Sequence, residues 1–423
     1  MNAFHIVNLT LIVALPVFLY FHVCSRLVFH PVMVSMALGI FPFLVGAEIM
    51  ASEVGLSEKF FYFLVAAFAG CLSGRGLRKI APNYEIGASG GNIDAHRIPY
   101  CAAVAVGAFI VVLFFLRRGV PLFSEEPNLA KIEIAADGGF VFTRFVRYYI
   151  PMLFYASLAY GFYAVRNKLG GEKVWVVVGS VLLVFFAFLG YKANVFAFFF
   201  WSACFVGLFV RLRLTAALPF LLAGVAVSFR VAMALQHMTF DETSTFIFDR
   251  ATRGGAAGFV YILGHYGADE PFLMGEGFWY DLSNILLRLG LGPLLPFNLH
   301  ELNFDAHICE KLVGHNEYKM QAGTLMAGQL YANFGLSPAL LGTFAFFHLY
   351  VKFGNFLVTH RKSLIWTPVC FFLFQQFQAF MAGGPVVLTA FDTALSLAMF
   401  FSFYGAVYLF MHLPYGRLSF KVP

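Results

Sequence analysis

The sequence predicts an all-α integral membrane protein with about eleven transmembrane helices, in a range of ten to twelve, and one large extracytoplasmic loop carrying short surface helices. Of its 423 residues, 60% are hydrophobic and 12% are charged, whereas soluble domains average roughly 45–50% and about 25%. A soluble chain of this length would still need a large polar exterior. Lipid must therefore cover much of the apolar surface, which excludes an ordinary soluble domain.

Crossing the hydrocarbon core of a bilayer takes roughly 20 residues of helix. Apolar runs predict spans at 4–24, 28–49, 60–74, 98–116, 149–165, 174–190, 194–210, 214–234, 338–351, 364–381 and 386–411. The third and ninth runs are short, so the count can move by one. The first run is interpreted as a span, because no basic segment precedes it and no small-residue cleavage site follows it.

These spans divide the chain into three parts. Residues 1–234 form an N-terminal bundle of about eight spans with an outer loop at 117–148. Residues 235–337 form the large extracytoplasmic loop, and 338–423 hold the last transmembrane helices and a cytoplasmic tail. The apolar segments 252–263 and 285–295 are predicted to be short helices that lie on the membrane surface or dip into it.

The orientation follows from lysine and arginine, which collect in short cytoplasmic loops. Five such loops alternate correctly along the chain, and their basic residues are Arg75, Arg78, Lys79, Arg166, Lys168, Lys173, Arg211, Arg213, Lys352, Arg361, Lys362, Arg417 and Lys421. The N-terminus and the loops 117–148 and 235–337 then lie outside the cytoplasm.

Cysteine and histidine spacing predicts neither a metal site nor a disulfide framework. The sequence has no CxxC and no HExxH motif. Five of the six cysteines lie in or beside predicted spans. No cofactor is predicted.

Four arginines lie beside outer membrane ends, against the orientation rule: Arg117, Arg118, Arg144 and Arg147. The planar arginine fork binds phosphate oxygens bidentately and keeps its charge, so these residues indicate an anionic partner such as a phosphate group. The alternative is that they bind lipid headgroups or pair with acidic residues of their own loop.

The loop 235–337 collects arginines, histidines and carboxylates, the residue types that a phosphate-handling transferase needs. His315 closes this loop shortly before a helix predicted to begin near Thr324, and a histidine fixed there could act as a general base near neutral pH. Solvated carboxylates and a structural ion pair of Arg250 with Asp249 or Glu242 are the alternatives.

Three segments carry a family resemblance. The stretch from His315 to Gly342 contains Gly-Thr324-Leu-Met-Ala-Gly-Gln and Asn-Phe334-Gly335, and it resembles the C-terminal motif of the O-antigen and oligosaccharide repeat-unit polymerases. Arg118-Gly-Val-Pro-Leu-Phe-Ser124 is similar to a segment that follows an early span in that family. Gly190-Tyr-Lys192-Ala-Asn resembles the start of its mid-chain helix.

The resemblance implies a metal-independent glycosyltransferase in the bacterial inner (cytoplasmic) membrane, with its active site facing the periplasm. It would bind an oligosaccharide linked to undecaprenyl pyrophosphate and would contact membrane lipid. Its expected protein partners are a chain-length regulator and a flippase, and no nucleic acid is expected to bind. The implied catalytic residues are His315, Glu317, Arg250 and Arg253. The implied pyrophosphate-binding residues are Arg118, Lys192, Arg230 and Arg147.

Three other functions remain open from the sequence. An O-antigen ligase would transfer the finished glycan to a lipid A core with the same kind of arginine-rich loop. A flippase or transporter of the lipid-linked oligosaccharide would need ionisable residues at mid-membrane depth and internal repeats, of which the spans show little. A purely structural membrane subunit would leave the outer arginines unexplained.

Overall fold

The structure is a computed structural model, and the described residues are helical, with two isolated β-bridges and no strand among them. It describes residues 3–24, 27–75, 81–86, 93–127, 130, 149–168, 172–188, 192–249, 253–292, 299–314, 322–382 and 386–412.

The N-terminal helices follow the predicted apolar runs. They are α1 (Ala3–Phe18, continued as a π turn to Val23), α2 (Pro31–Ser35), α3 (Phe41–Glu53, joined to α2 by the π turn Met36–Ile40), α4 (Ser57–Gly74), α5 (Ile93–Arg118), α6 (Ile150–Arg166), α7 (Glu172–Phe188), α8 (Lys192–Gly207) and α9 (Leu214–Gln236).

The remaining helices are shorter until the C-terminal part of the chain. They are α10 (Phe240–Asp249), α11 (Gly255–His265), α12 (Glu276–Arg288), α13 (Phe304–Val313), α14 (Leu325–Phe334), α15 (Leu336–Thr359), α16 (Trp366–Ala382) and α17 (Val386–His412).

Six of the described helical stretches are long and apolar enough to cross a membrane: Ala3–Val23, Pro31–Glu53, Val104–Phe123, Leu214–Gln236, Leu336–Thr359 and Val386–Ala406. The prediction of an all-α, multi-pass membrane protein is therefore confirmed over the described residues. Every one of the eleven predicted runs coincides with a helix. The ninth run was predicted too short, since α15 has 24 residues.

The contact of α4 with α15 is the most extensive between two helices of the described chain. It depends on Gly70 and Gly74, four residues apart on one face of α4. A Cβ on these glycines would lie 2.5 Å from the Phe344 carbonyl oxygen and 2.6 Å from that of His348. Only glycine lets the two backbones approach this closely, the arrangement that small residues give in membrane helix pairs.

Long-range contacts join two sets of segments at opposite ends of the bundle. At one end, hereafter called the outer end after the topology predicted from the sequence, the Lys59 Nζ donates to the Leu263 carbonyl at 2.9 Å. At the other, hereafter the basic end, the Asn83 amide donates to the Val358 carbonyl at 3.0 Å. Arg166 Nη1 donates to the Tyr84 carbonyl there, at 2.9 Å. The basic end therefore gathers loops that the sequence assigns to one side of the membrane.

Lys362, predicted as an ordinary cytoplasmic loop residue, is 1% exposed at the basic end. Its ammonium group donates to the carbonyls of Leu357, Val358 and His360 at 2.7, 3.0 and 2.8 Å. These carbonyls end α15 and have no partner within that helix, so the lysine caps the helix where its dipole favours a cation. Burial lowers the pKa of Lys362 to about 8.

A buried carboxyl group holds the N-terminal helix at the outer end. Glu48 of α3 accepts from Asn8 Nδ2 at 2.6 Å and from the Ser57 hydroxyl at 2.8 Å. The His5 Nδ1 lies 2.8 Å from Glu48 Oε1. Because these partners come from α1 and α4, one side chain joins three helices.

We expect Glu48→Gln to lower the free energy of unfolding by about 1–3 kcal/mol, because an amide nitrogen would face donors that now have an acceptor. The midpoint of thermal unfolding in detergent measures the effect. Glu58→Gln is the matched control, since Glu58 is exposed and accepts from the Tyr62 hydroxyl of its own helix. Equal shifts in both variants would contradict the role of Glu48.

Candidate functional site

The segment from α10 to α14 is packed into the outer end of the bundle. Helix α11 contacts α3, α13 and α14. The Phe259 ring of α11 lies 5.9 Å from the ring of Phe43, 6.2 Å from that of Phe60 and 5.4 Å from that of Phe63. Helix α11 is therefore packed against α3, α13 and α14.

The structure corrects one of the predicted helix positions in this segment and confirms another. The helix predicted at 285–295 is wrong, because α12 begins at Glu276 and ends at Arg288. Gly290 follows with φ +73°, a left-handed conformation that does not continue a helix. The helix predicted to begin near Thr324 is confirmed, since α14 begins at Leu325.

The Asp281 carboxyl is the centre of a buried hydrogen-bond network. It is 0% exposed. Its Oδ1 accepts from the Phe304 amide of α13 at 3.0 Å, and its Oδ2 accepts from the Gln329 side chain of α14 at 2.9 Å. The Gln329 side-chain oxygen in turn accepts from the Val386 amide of α17 at 3.3 Å. We call these side chains, with Asp305, Thr324 and Asn333, the Asp281 network.

Asp305 and Thr324 form the second part of the Asp281 network. The Thr324 hydroxyl donates to Asp305 Oδ1, and the Ala322 amide donates to the Asp305 carbonyl at 3.2 Å. The Asn303 side chain caps α13 by accepting from the Ala306 amide at 2.9 Å. Helix α13 is thus fixed to residues 322–324, which lead into α14.

Burial raises the pKa of both carboxyl groups. It raises the pKa of Asp305 to about 7, against the hydrogen bond from Thr324 and with a further rise from the charge of Asp281. It raises the pKa of Asp281 to about 6, against the bonds from Gln329, Phe304 and Val387. Burial, with the charge of Asp281 as a smaller cause, therefore favours the protonated form of Asp305 up to about neutral pH.

Asn333 closes the Asp281 network at the end of α14. Its Oδ1 accepts from the amides of Gly275 and Gly277, each at 3.0 Å. Its Nδ2 donates to the Gln329 carbonyl at 2.7 Å. Helix α14 ends at Phe334, and Gly335 turns the chain into α15 with φ +84°. The Phe-Gly break of the sequence motif is therefore a real helix break.

A polar aromatic face lies beside this network, and we define it by Tyr280, His300, His307, Tyr261, Glu270 and Lys311. The Tyr280 ring is 4.6 Å from the His307 ring and 4.1 Å from the His300 ring. The Tyr261 hydroxyl donates to Glu270 at 3.0 Å, and Lys311 pairs with the same carboxylate. Most of these side chains are partly exposed, so they are available to a polar ligand.

The sequence does not predict that these residues form one face. No spacing brings them together, because Tyr280 and His307 are on different helices, α12 and α13. A stacked tyrosine between two histidines needs the packing of these helices, which the Asp281 network fixes.

The structure describes only some of the predicted site residues. His315, Glu317, Arg250 and Arg147 lie outside the described residues. Arg118 ends α5 and Lys192 begins α8, and their side chains are also outside the description.

Two predicted arginines can be placed. Arg230 is exposed on α9, which packs against α8 and α10. Arg253 precedes α11, and its Nη2 lies 3.5 Å from Glu53 Oε1, with the two side chains 59% and 55% exposed. An exposed pair of this kind contributes about 0–1 kcal/mol. Arg253 is therefore held loosely and can exchange its partner for another anion.

No group of three or more histidine, cysteine or acidic side chains in the described part of the chain could hold a metal ion. No family model, curated protein or solved structure matches the sequence. The fold is that of a multi-pass helical membrane protein, and its function is inferred from its own residues.

We expect Asp281→Ala to lower the free energy of unfolding by about 3 kcal/mol. The substitution leaves the Phe304 amide and the Gln329 side chain without an acceptor, and each unsatisfied donor costs roughly 1–3 kcal/mol. Limited proteolysis between α11 and α13 and the unfolding midpoint in detergent measure the effect. Asp269→Ala, at an exposed site, is the control. Equal cleavage rates in the two variants would contradict the network's role.

The Asp305 carboxyl also predicts a pH dependence. Its folded pKa of about 7 lies above the ordinary value, so the folded state binds more protons than the unfolded state between about pH 4 and 7. Its contribution to stability is therefore present below this range and lost as the pH rises through it.

We expect the unfolding midpoint of Asp305→Asn to fall less between pH 5 and pH 8 than that of the wild type. His307, whose pKa is lowered by burial, gives the opposite slope in both proteins, so their difference isolates Asp305. Parallel pH profiles would overturn this expectation.

Proposed function

We propose that this protein polymerises lipid-linked oligosaccharide repeat units into surface polysaccharide. It would transfer a growing glycan from undecaprenyl pyrophosphate to an incoming lipid-linked repeat at the outer face of the bacterial inner membrane. The observation that carries this proposal is the place of α14 in the Asp281 network. The residues that bear the family resemblance, from Thr324 to Gly335, form this helix and supply Thr324, Gln329 and Asn333 to the Asp281 network.

The proposed topology has eleven spans, with the N-terminus and residues 235–337 outside. Contacts at the outer end support it. His5 near the N-terminus contacts Glu48, and Lys59 of the next helix contacts Leu263. These segments are predicted to lie on one side of the membrane, and the packing joins them directly.

In the proposed reaction, a hydroxyl oxygen of the acceptor sugar attacks the anomeric carbon of the donor glycan. The bond from that carbon to the pyrophosphate oxygen breaks, and undecaprenyl pyrophosphate leaves with the electron pair. The acceptor proton passes to a general base, for which His315 or Glu317 is proposed. The reaction needs no nucleotide sugar, because the lipid carrier already bears the leaving group, and it is proposed to be independent of metal.

Cationic side chains would stabilise the departing pyrophosphate as its charge develops. The proposed set is Arg118, Arg147, Lys192, Arg230, Arg250 and Arg253. Arg253 suits this role, since it stands half exposed at the start of α11 beside a loosely paired Glu53. A doubly charged phosphate group would compete with one exposed carboxylate at little cost.

The polar aromatic face is proposed to bind glycan. Sugars present hydroxyl groups at their edges and apolar C–H faces, so a site needs both polar groups and flat rings. Tyr280 and His307 supply stacked rings, and Glu270 supplies a carboxylate held by Lys311 and Tyr261. This face and Arg253 flank α11 and α13, which pack together.

The proposal is tested by deleting the gene and separating the surface glycan on a gel. A polymerase deletion leaves lipid core capped by one repeat, whereas a ligase deletion leaves long chains on the undecaprenyl carrier. Complementation with Arg253→Ala should lower the rate of chain growth about 100-fold if the arginine stabilises the leaving group. Arg361→Ala, at the basic end, should restore full chains. Unchanged long glycan in the deletion strain contradicts both the polymerase and the ligase.

A further inference from the structure

A cavity of about 230 Å³ opens at the basic end, away from the proposed active site. Three connecting segments and the ends of three helices form its wall. The lining residues are Leu27, Val28, Phe29, His30, Tyr84, Gly207, Arg211, Leu212, Arg213, Leu214 and Val358. The cavity is smaller than the roughly 300–1,000 Å³ of pockets for drug-sized ligands, so it suits a headgroup rather than a nucleotide.

The charge of this cavity is positive. Arg211 and Arg213 line it, and both side chains are exposed at its rim. No carboxylate is among its described lining residues. Burial raises the pKa of the Tyr84 phenol and the charge of Arg211 opposes that rise, and both residues line the cavity.

The walls of the cavity are held in place by specific contacts. Arg166 Nη1 donates to the Tyr84 carbonyl at 2.9 Å and fixes the segment that carries Tyr84. A Cβ on Gly207 would lie 2.9 Å from Phe29 Cβ, so α8 approaches the 27–30 loop as closely as glycine allows. The His30 side chain accepts from the Val32 amide at 3.2 Å and caps the start of α2.

Helix α9 also begins at this wall, at Leu214. The start of a helix carries partial positive charge, which adds to that of the arginines. Apolar residues surround the charges, among them Leu27, Phe29 and Leu212. A cationic cavity with an apolar wall at the end of a membrane bundle fits an amphiphile whose head is anionic.

We propose that this cavity binds the phosphate of an anionic phospholipid, with Arg211 and Arg213 as its ligands. The two guanidinium groups can each donate two hydrogen bonds to phosphate oxygens. The apolar wall lies beside the glycerol and the first acyl carbons. This site is independent of the glycosyl transfer proposed for the outer end.

The test adds phosphatidylglycerol, phosphatidylcholine or inorganic phosphate to the detergent-purified full chain and measures its unfolding midpoint. Phosphatidylglycerol should raise the midpoint in a saturable manner, and phosphatidylcholine should not. Equal stabilisation by phosphatidylcholine would overturn the proposal. Full stabilisation by inorganic phosphate alone would show a free phosphate site and overturn the lipid assignment.

Arg211→Gln combined with Arg213→Gln should weaken phosphatidylglycerol binding by about tenfold or more, the loss expected when charge-assisted hydrogen bonds are removed. Arg75→Gln combined with Arg361→Gln removes the same charge from exposed sites of the basic end outside this cavity, and should leave binding intact. Equal weakening by both double variants would overturn the proposal.

Arg211→Lys combined with Arg213→Lys keeps both charges, so it is the control for a folding defect in the double glutamine variant. This variant should still prefer phosphatidylglycerol to phosphatidylcholine. Loss of that preference, with an unchanged midpoint in the absence of lipid, would contradict recognition by charge at this site.

Discussion

The arrangement of the outer end depends on one buried carboxyl group, that of Asp281. A buried carboxyl is costly unless donors surround it, and here the donors come from different helices. They are the Phe304 amide and the Gln329 side chain, 23 and 48 residues away in the chain. The central side chain of the large loop is therefore satisfied only when α12, α13 and α14 meet, and Gln329 joins these helices to the rest of the bundle by accepting from the Val386 amide of α17.

This constraint has a consequence for the site. With α14 held by Gln329 and Asn333, α11 packs between α3 and α14, which places Arg253 beside Glu53 at the outer rim. The same packing brings Tyr280 against His307. Arg253 with Glu53 and the polar aromatic face thus have fixed positions at the outer end of the bundle. The arginine-lined cavity lies at the basic end.

The sequence predicted the helices well, because a long apolar run is a strong local signal. The predicted run for α15 was too short, since it stopped before Lys352, a charged residue that the continuous helix contains. The break after Phe334 was also predictable from the motif. The Asp281 network was not, because Asp281 looks like any loop carboxylate until its distant partners are known. Of the predicted site, Arg253 and Arg230 are described, whereas His315 and Arg250 are outside the described residues.

The central claim is that residues 235–337 pack on the end of the bundle opposite the basic loops and face away from the cytoplasm. Labelling of single cysteines in intact cells with a membrane-impermeant maleimide tests it most directly. Asp269→Cys and Arg361→Cys are suitable, since both positions are exposed. The account predicts labelling of Asp269→Cys in cells with only the outer membrane permeabilised, and labelling of Arg361→Cys only after the inner membrane is opened. The reverse pattern, or labelling of both before that step, would contradict it.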